Sequence, residues 1–401
     1  MLSVEEARKR ILDSVVPLEA VEVPLLDSLG LALAEVVVAR HDIPPFDNSA
    51  MDGYALRSED VKGASEENPV TLEVLGDLPA GRAPGDAVGR GQAVRIMTGA
   101  PLPPGADAVV PVESTRPGEG TVLVLEAVKP GAHVRLAGED VKAGEEVMSP
   151  GTAIGPAELG MLASLGYARV RCVRRAVVGI LSTGDELVGV EEDLAPGKIR
   201  DSNSYTLYGM VTEAGALPYR LGVVRDDAAA LERAILDHLE KVDLFVTSGG
   251  VSVGDYDMVK EVLGRLGEMD FWKVAMRPGK PQAFGNIGGK PLFGLPGNPV
   301  SVMVSFEQFV RPALRRMMGF RDIFRPAVEA VLDAPLKGKT GRVEFIRVVA
   351  EWRDGLYHAV PTGPQGSGIL RSMVRGNALA VIPEEAGTLE AGSRVLVQLL
   401  R

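Results

Sequence analysis

The chain is poor in cysteine, in histidine and in long apolar runs, and each shortage excludes a class of function. Cys172 is its single cysteine, so no disulfide can form within the chain. Set in a β-like run, it reads as a small buried hydrophobe. The four histidines, His41, His133, His238 and His358, are scattered without metal-ligand spacing, which argues against a zinc centre and a Cys/His nucleophile. No uninterrupted apolar run approaches the ~20 residues that a membrane-spanning helix needs. Ser3 and Glu6 form a capping box that starts a charged amphipathic helix where a signal peptide would be apolar, so the expected address is the cytoplasm. Basic residues are also in deficit, 43 Lys and Arg against 54 Asp and Glu, a net charge of -11. That balance argues against general nucleic-acid binding. An acidic chain can still handle an anion, but only through a local cluster of cations.

What is present is enough for several cores: 401 residues, 46% of them apolar, predict roughly two to four domains. Residues 1–42 begin as helix and run into Val36-Val37-Val38. Residues 43–137 are short β-like runs (71–75, 93–97, 121–125) split by Pro/Gly turns, which predicts a small all-β unit. In 138–172, Pro156 stands at a first helical position and Gly166 at a stop. This segment is expected to return to the N-terminal helix, making the β unit an insertion. From 173 to 321 strands and helices alternate, predicting a parallel sheet covered by helices on both faces, with a last helix from Pro299 to about Met318. Residues 322–401 are β again, with a hairpin turning at Arg353-Asp354-Gly355.

In open α/β sheets, ligands bind beyond the carboxyl ends of the strands. One predicted end presents Ser182-Thr183-Gly184-Asp185-Glu186, and a second presents Asp226 and Asp227. A third presents Ser248-Gly249-Gly250-Val251-Ser252-Val253-Gly254, followed by Asp255 and Asp257. Glycine turns let backbone N–H groups close on a phosphate, and carboxylates beside a phosphate call for a hard cation such as Mg²⁺ between them. Singly, each has an ordinary reading: Asp226 and Asp227 as helix caps, the Gly-Gly pair as a turn. Together they read as a metal–phosphate site. The segment 271–281 then brings together Lys273, Arg277 and Lys280. In an extended strand residues 273, 275 and 277 share a face, and Pro278 and Pro281 stiffen the segment toward an anion cradle rather than a solvated strand edge. Pro296 and Pro299 frame a sharp turn into the next helix, whose N-terminus offers further donors. The loops at 43–55, 95–101 and 135–140 are unremarkable as turns.

The strings PFDNSAMDGYA, RIMTGAP, STGDEL, TSGGVSVGDYD, RPGKP, GLPGNPVS and TGPQGSG occur in this order. They resemble the MoeA family, including the gephyrin E domain, over nearly the whole length, and 173–321 also resembles the domain shared with MogA-type adenylyltransferases. The resemblance implies four domains: 1–42 with 138–172, an inserted β-rich 43–137, an α/β molybdopterin-binding 173–321, and a C-terminal β-barrel-like 322–401. It implies insertion of molybdenum from molybdate into adenylylated molybdopterin with release of AMP, supported by Mg²⁺. It also implies a homodimer whose active site is shared between subunits, with transient contacts to the adenylyltransferase and to apo-molybdoenzymes. Position by position, Asp52, Thr98, Arg135 and Asp140 match functional positions in the N-terminal loops. Glu186, Asp226, Asp257, Lys273 and Lys280 match in the pterin domain, and Arg347 and Ser367 in the C-terminal domain. Asp226 and Asp257 are expected to hold the metal, with Glu186 joining them or positioning the pterin or the metal's water. Arg277 departs from the family's Lys-Pro-Gly-Lys-Pro, keeping the charge with a different hydrogen-bonding fork. Rival readings are a molybdopterin adenylyltransferase, which resembles the central domain alone, more distantly a pyrophosphatase or amidase acting on nucleotides, and a non-catalytic pterin carrier or scaffold.

Overall fold

A computed structural model describes residues 1–225, 227–249, 261–262 and 264–401. It divides into two compact units, one of Met1–Glu35, Pro150–Leu159 and Arg169–Arg401, the other of Val36–Ser149 and Gly160–Ala168. No described helix is long and apolar enough to cross a membrane.

The first unit opens with α1 (Val4–Ser14) and the expected capping box. Ser3 Oγ accepts from the Glu6 N–H at 3.1 Å, and the Glu6 carboxylate accepts from the Ser3 N–H at 3.0 Å. Two N-terminal donors that the helix leaves orphaned are thereby satisfied. Val4, Ala7 and Ile11 bury the apolar face of α1 in the main core, against the helical residues 306–317. The return of the chain toward its start runs through a strand: Arg169–Val173 lies antiparallel between Ala20–Pro24 and Ala32–Leu33. Cys172 is fully buried in that strand, and burial pushes its thiol up to about 11. The helix Pro156–Ser164 begins on its proline and stops before Gly166, whose φ is +78°.

The central sheet is built from β1 (Val177–Thr183), β2 (Leu217–Val224), β3 (Leu244–Ser248) and β4 (Gly267–Lys273), then, after the short β5 (Met276–Arg277), from β6 (Pro281–Ile287) and β7 (Lys290–Leu295). Its order is β2-β1-β3-β7-β6-β4. β2, β1, β3 and β7 are parallel, as the alternation predicted, while β6 and β4 add an antiparallel edge. The reason is local: Gly288 and Gly289, at φ +56° and +83°, supply the two left-handed residues of a tight hairpin between β6 and β7. Neighbouring strand residues point to opposite faces. Val178, Ile180, Leu244 and Val246 share a core with Leu207 and Met210 of α2 (Asn203–Glu213). Leu181, Phe245 and Leu292 pack with Leu231 and Ile235 of α3 (Ala228–Leu236) on the other face. The chain leaves β1 for β2 on one side and returns as β3 on the other. The strand order therefore reverses between β1 and β3, where α/β sheets open a crevice at their carboxyl ends.

After β7, α4 (Pro299–Ser305) continues through a π-helical turn, Phe306–Val310, into Arg311–Met317. The last strands, β8 (Ala327–Leu332), β9 (Val343–Arg353), β10 (Leu356–Pro361), β11 (Ala378–Ile382) and β12 (Arg394–Leu399), close into a barrel in the order β9-β10-β8-β12-β11-β9. Closure leaves no free sheet edge within the ring. The β9–β10 hairpin turns on Asp354 and Gly355, at φ +51° and +84°. β5 leaves the central sheet and lies parallel on β9, placing Arg277 opposite Glu344.

The second unit holds a six-stranded sheet in the order Ala108–Pro111, Gly53–Leu56, Gln92–Ile96, Val70–Leu78, Thr121–Val124, Thr115–Pro117. The three β-like runs recognised in the sequence all lie in it. Gly53 has no room for a side chain, because a Cβ there would sit 2.1 Å from the Val110 carbonyl oxygen. Gly53→Ala is therefore expected to cost about 1–3 kcal/mol through overpacking, read as a lower midpoint in denaturant unfolding. A midpoint equal to the wild type would contradict this packing.

Candidate active site

Three strand ends gather at the switch point. The β1 end carries Ser182, whose Oγ donates to the buried Asp201 Oδ1 at 3.0 Å, while the same oxygen accepts from the Ser204 N–H at 3.0 Å as α2 begins. Ser182 and Thr183 are buried beneath the crevice. At the β3 end, Gly249 has φ +95°, and a Cβ on it would lie 2.6 Å from the Thr183 carbonyl oxygen. Glycine is thus what lets these two turns touch. The Gly249 N–H donates to Leu295 O at 3.1 Å, drawing in the β7 end. Asn203, unassigned in the sequence, fastens the group: its Nδ2 donates to Ser248 Oγ at 2.7 Å and to Gly297 O at 2.8 Å. Pro296 is buried in this turn, and Pro299 opens α4.

Asp185 and Glu186 stand exposed beyond β1. The Glu186 carboxylate folds over Gly184, so that a Cβ on Gly184 would lie 2.4 Å from Glu186 Oε2, and Lys198 Nζ donates to the Asp185 carbonyl oxygen. Asp227 is a helix cap, accepting from the Ala230 N–H at 2.7 Å. Asp226, Gly250, Ser252, Asp255 and Asp257 lie outside the described residues. Among the described residues no three His, Cys, Asp or Glu side chains stand together as a metal cluster. What the described part offers a hard cation is oxygen chemistry: the Glu186 carboxylate, with Thr183 Oγ1 and Asp201 Oδ2 buried and lacking a hydrogen-bond partner among the described residues.

The expectation that residues 273, 275 and 277 share one face of an extended strand is corrected. β4 ends at Lys273, Val274 and Ala275 are buried, and the chain bends. Leu2 causes part of this, its N–H donating to Lys273 O at 3.1 Å and its carbonyl accepting from the Ala275 N–H at 2.8 Å. The Val274 N–H then donates to Lys280 O at 2.9 Å and closes a loop. Lys273 stays exposed at the sheet edge. Arg277 and Lys280 instead line a cleft of about 260 Å³ with Ser301, Arg342, Gln365 and Ser367. The loop is pinned from below by Gln282, whose Nε2 donates to Gly279 O and to Ser305 Oγ, both at 2.6 Å.

Arg347 lies on β9 with 1% of its surface exposed. Its Nε donates to Ser372 Oγ at 3.0 Å and its Nη2 to Gly366 O at 3.1 Å. Burial, with the Arg277 cation nearby, pushes its guanidinium down to about 10. Gln365 brackets the Arg347 backbone, accepting from its N–H at 2.9 Å and donating to its carbonyl at 3.1 Å. The Val300 N–H donates to Ser367 O at 3.0 Å, so the cleft is continuous with the turn that ends β7. Arg342, Glu344 and Gln365 carried no signal in the sequence beyond residue type, although Gln365 sits inside the TGPQGSG string.

In the second unit, Asp52 accepts from the Thr98 N–H and Oγ1, both at 2.8 Å. The pairing of Gly53 with Ile96 sets these two residues opposite each other at adjoining strand ends. Arg135 pairs with Asn48, Ala137 N–H donates to Asp47 Oδ1 at 2.7 Å, and Asp140 N–H donates to Ile43 O at 3.0 Å. The N-terminal loops that looked unrelated in sequence are thus laced together, with Asp52, Thr98, Arg135 and Asp140 all exposed. The Thr98 N–H, and then its hydroxyl, hold the Asp52 carboxyl below its ordinary value. A depressed carboxylate contributes stability that is present above its ordinary value (~3.9) and is lost as pH falls through the folded value. In an NMR titration Asp52 is expected to titrate below that value. Thr98→Val should raise its midpoint part of the way back, and no movement would show that the hydroxyl contributes nothing.

Three family models match consecutive stretches of the chain: "MoeA N-terminal region (domain I and II)" at residues 2–166, "Probable molybdopterin binding domain" at 179–316, and "MoeA C-terminal region (domain IV)" at 329–400. Molybdopterin molybdenumtransferase 2 of Mycobacterium tuberculosis is 43% identical over 404 residues, covering 99% of both chains. Molybdopterin molybdenumtransferase of Bacillus subtilis is 38% identical over 405 residues, covering 100% of this chain and 94% of that one. The crystal structure of the molybdopterin biosynthesis moeA protein from Pyrococcus horikoshii OT3 superposes with a TM-score of 0.86 at 34% identity, covering 100% of both chains. With its β-rich N-terminal part, its α/β centre and its closed C-terminal barrel all matched, the chain belongs to the MoeA family.

Proposed function

We propose that this chain is a molybdopterin molybdenumtransferase of molybdenum cofactor biosynthesis, inserting molybdenum from molybdate into adenylylated molybdopterin with release of AMP. The observation that carries this reading is the cationic cleft of Arg277, Lys280 and Arg342, continuous through Ser367 and Val300 with the glycine turns at the strand ends. In a chain of net charge -11, such a concentration of cations suits a small dianion such as molybdate. The touching turns at Gly184 and Gly249 suit the phosphate of the adenylylated pterin, because they bring the strand ends together into a narrow polar crevice beside Ser182, Thr183 and Ser248.

In this reading Arg277, Lys280 and Ser367 bind the oxyanion, with Arg347 fixing the wall behind it. Ser182, Thr183, Gly184, Asp185, Ser248, Gly249, Gly250, Ser252, Pro296 and Pro299 shape the pterin–phosphate side, and Lys273 adds a cation at its edge. Glu186, Asp226 and Asp257 would hold Mg²⁺, which when bound supplies charge neutralisation on the phosphoryl oxygens. The protein acts as a cytoplasmic homodimer, and the partner subunit's Asp52, Thr98, Arg135 and Asp140 complete the site. The division into 1–42 with 138–172, 43–137, 173–321 and 322–401 belongs to the same reading.

The test is AMP release from adenylylated molybdopterin by purified protein, with and without Mg²⁺ and molybdate, beside activation of an apo-molybdoenzyme. Both outputs are expected to require the metal and the oxyanion. Binding of the pterin with neither output would make the chain a carrier. Formation of the adenylylated pterin from ATP would make it an adenylyltransferase. Lys280→Gln should lower molybdate-dependent AMP release about tenfold or more at limiting molybdate while leaving pterin affinity intact. Unchanged AMP release by Glu186→Ala would remove Glu186 from the mechanism.

A further inference from the structure

The cationic cleft contains one buried carboxylate that the proposed chemistry has not used. Glu344, at 1% exposure, follows Arg342 by two residues on β9 and sits opposite Arg277 in the β5–β9 pairing. Its Oε1 accepts from Arg342 Nε at 3.1 Å and from Arg342 Nη2 at 2.9 Å. Its Oε2 stands 3.7 Å from Arg277 Nη1. Both arginines keep part of their surface open, 48% for Arg277 and 30% for Arg342, while the Glu344 side chain keeps 2%. A guanidinium carries five N–H donors, so each arginine retains donors for the cleft after engaging Glu344.

We propose that Glu344 is a positioning residue for oxyanion recognition and that Arg342 is a further anion-binding residue. This rests on the reading of the cleft as the molybdate site. Arg277, Lys280 and Arg342 line one small space, with Arg347 buried behind it, and they repel one another. Free of a shared acceptor, Arg277 and Arg342 would swing toward solvent, because long cationic side chains gain rotamer entropy and hydration there. Glu344 fixes the Arg342 fork through two hydrogen bonds and draws Arg277 toward the same carboxylate by charge, and a fixed fork discriminates one tetrahedral oxyanion from another by O–O spacing. A mobile cluster would attract any dianion alike.

This role makes a prediction opposite to that of simple charge. Removing a carboxylate from beside an anion site normally strengthens anion binding, because a repulsive charge is lost. If Glu344 positions the arginines, Glu344→Gln weakens molybdate binding instead, by about fivefold or more, and brings molybdate and sulfate affinities closer together. The measurement is calorimetric titration of the folded full chain with molybdate and with sulfate, for wild type, E344Q, R342K and K280Q. R342K keeps the charge, loses the fork, and is expected to reduce the molybdate-over-sulfate ratio as E344Q does. It lies on a partly exposed side chain, so it carries the test if E344Q fails to fold. Tighter molybdate binding by E344Q, or an unchanged ratio in R342K, overturns the positioning role while leaving the cleft reading intact. Failure of wild type to bind molybdate, or no loss in K280Q, overturns the cleft reading and this inference with it.

Discussion

Like charges crowded around one space are the constraint that the structure must meet. Arg277, Lys280 and Arg342 line the cleft, and Arg347 lies buried behind it at a pKa lowered to about 10. Their repulsion is worth most where water is scarce, so the cluster needs a backbone that brings the cations together. β5 abandons the central sheet for the barrel and brings Arg277 with it. Gln282 and Ser305 hold the loop between Arg277 and Lys280. Gln365 brackets Arg347 through its backbone rather than its charge. Each of these contacts is neutral, so none cancels the positive potential that an anion would feel. Glu344 is the exception, and it lies where it can orient the cations.

A second constraint is the near approach of two turns. Gly249 presses on the Thr183 carbonyl, and Gly184 lies under the Glu186 carboxylate. A side chain at Gly249 would force the strand ends apart, while Gly184 is held to glycine by its φ of +146°. Asn203 then ties Ser248 to the Gly297 carbonyl with one amide group. A sheet with its order reversed between β1 and β3 supplies the crevice. Gly249 keeps it narrow.

Much of this was legible from residues alone. The capping box at Ser3, the Pro156 and Gly166 helix limits, the strands β1 to β3 and the turn at Asp354-Gly355 follow local rules, and they stand where those rules put them. The strand ends at 182–186 and at Ser248-Gly249 were legible too, because they follow directly after buried apolar runs. What local pattern misjudged was 273–277. Read as one strand, it was broken by Leu2, a residue more than 270 positions away in sequence, whose backbone captures Lys273 and Ala275. The same limit hid Arg342 and Glu344. Nothing nearby in sequence distinguishes them from a surface pair on a hairpin, and only the non-local β5–β9 pairing brings them to Arg277. The N-terminal loops were recognisable by resemblance alone, since the Asp52–Thr98 contact depends on a register between strands more than 35 residues apart.

On the proposed function, the barrel has a chemical part to play as well as a structural one. Lys280 and Arg277 come from the α/β region, but Arg342, Glu344, Arg347, Gln365 and Ser367 all come from the strands and loops after residue 322. An isolated 173–321 domain would keep the glycine turns and two of the cleft cations, and would lose the forked partner and the wall behind it. On the proposed function such a domain would keep the crevice for the pterin phosphate, yet it would offer the oxyanion only two cations. On the proposed function, joining a barrel strand to β5 gives the strand-end crevice an anion cleft at its rim. The physical difference between the two is a two-residue strand pairing, Met276 with Val343 and Arg277 with Glu344.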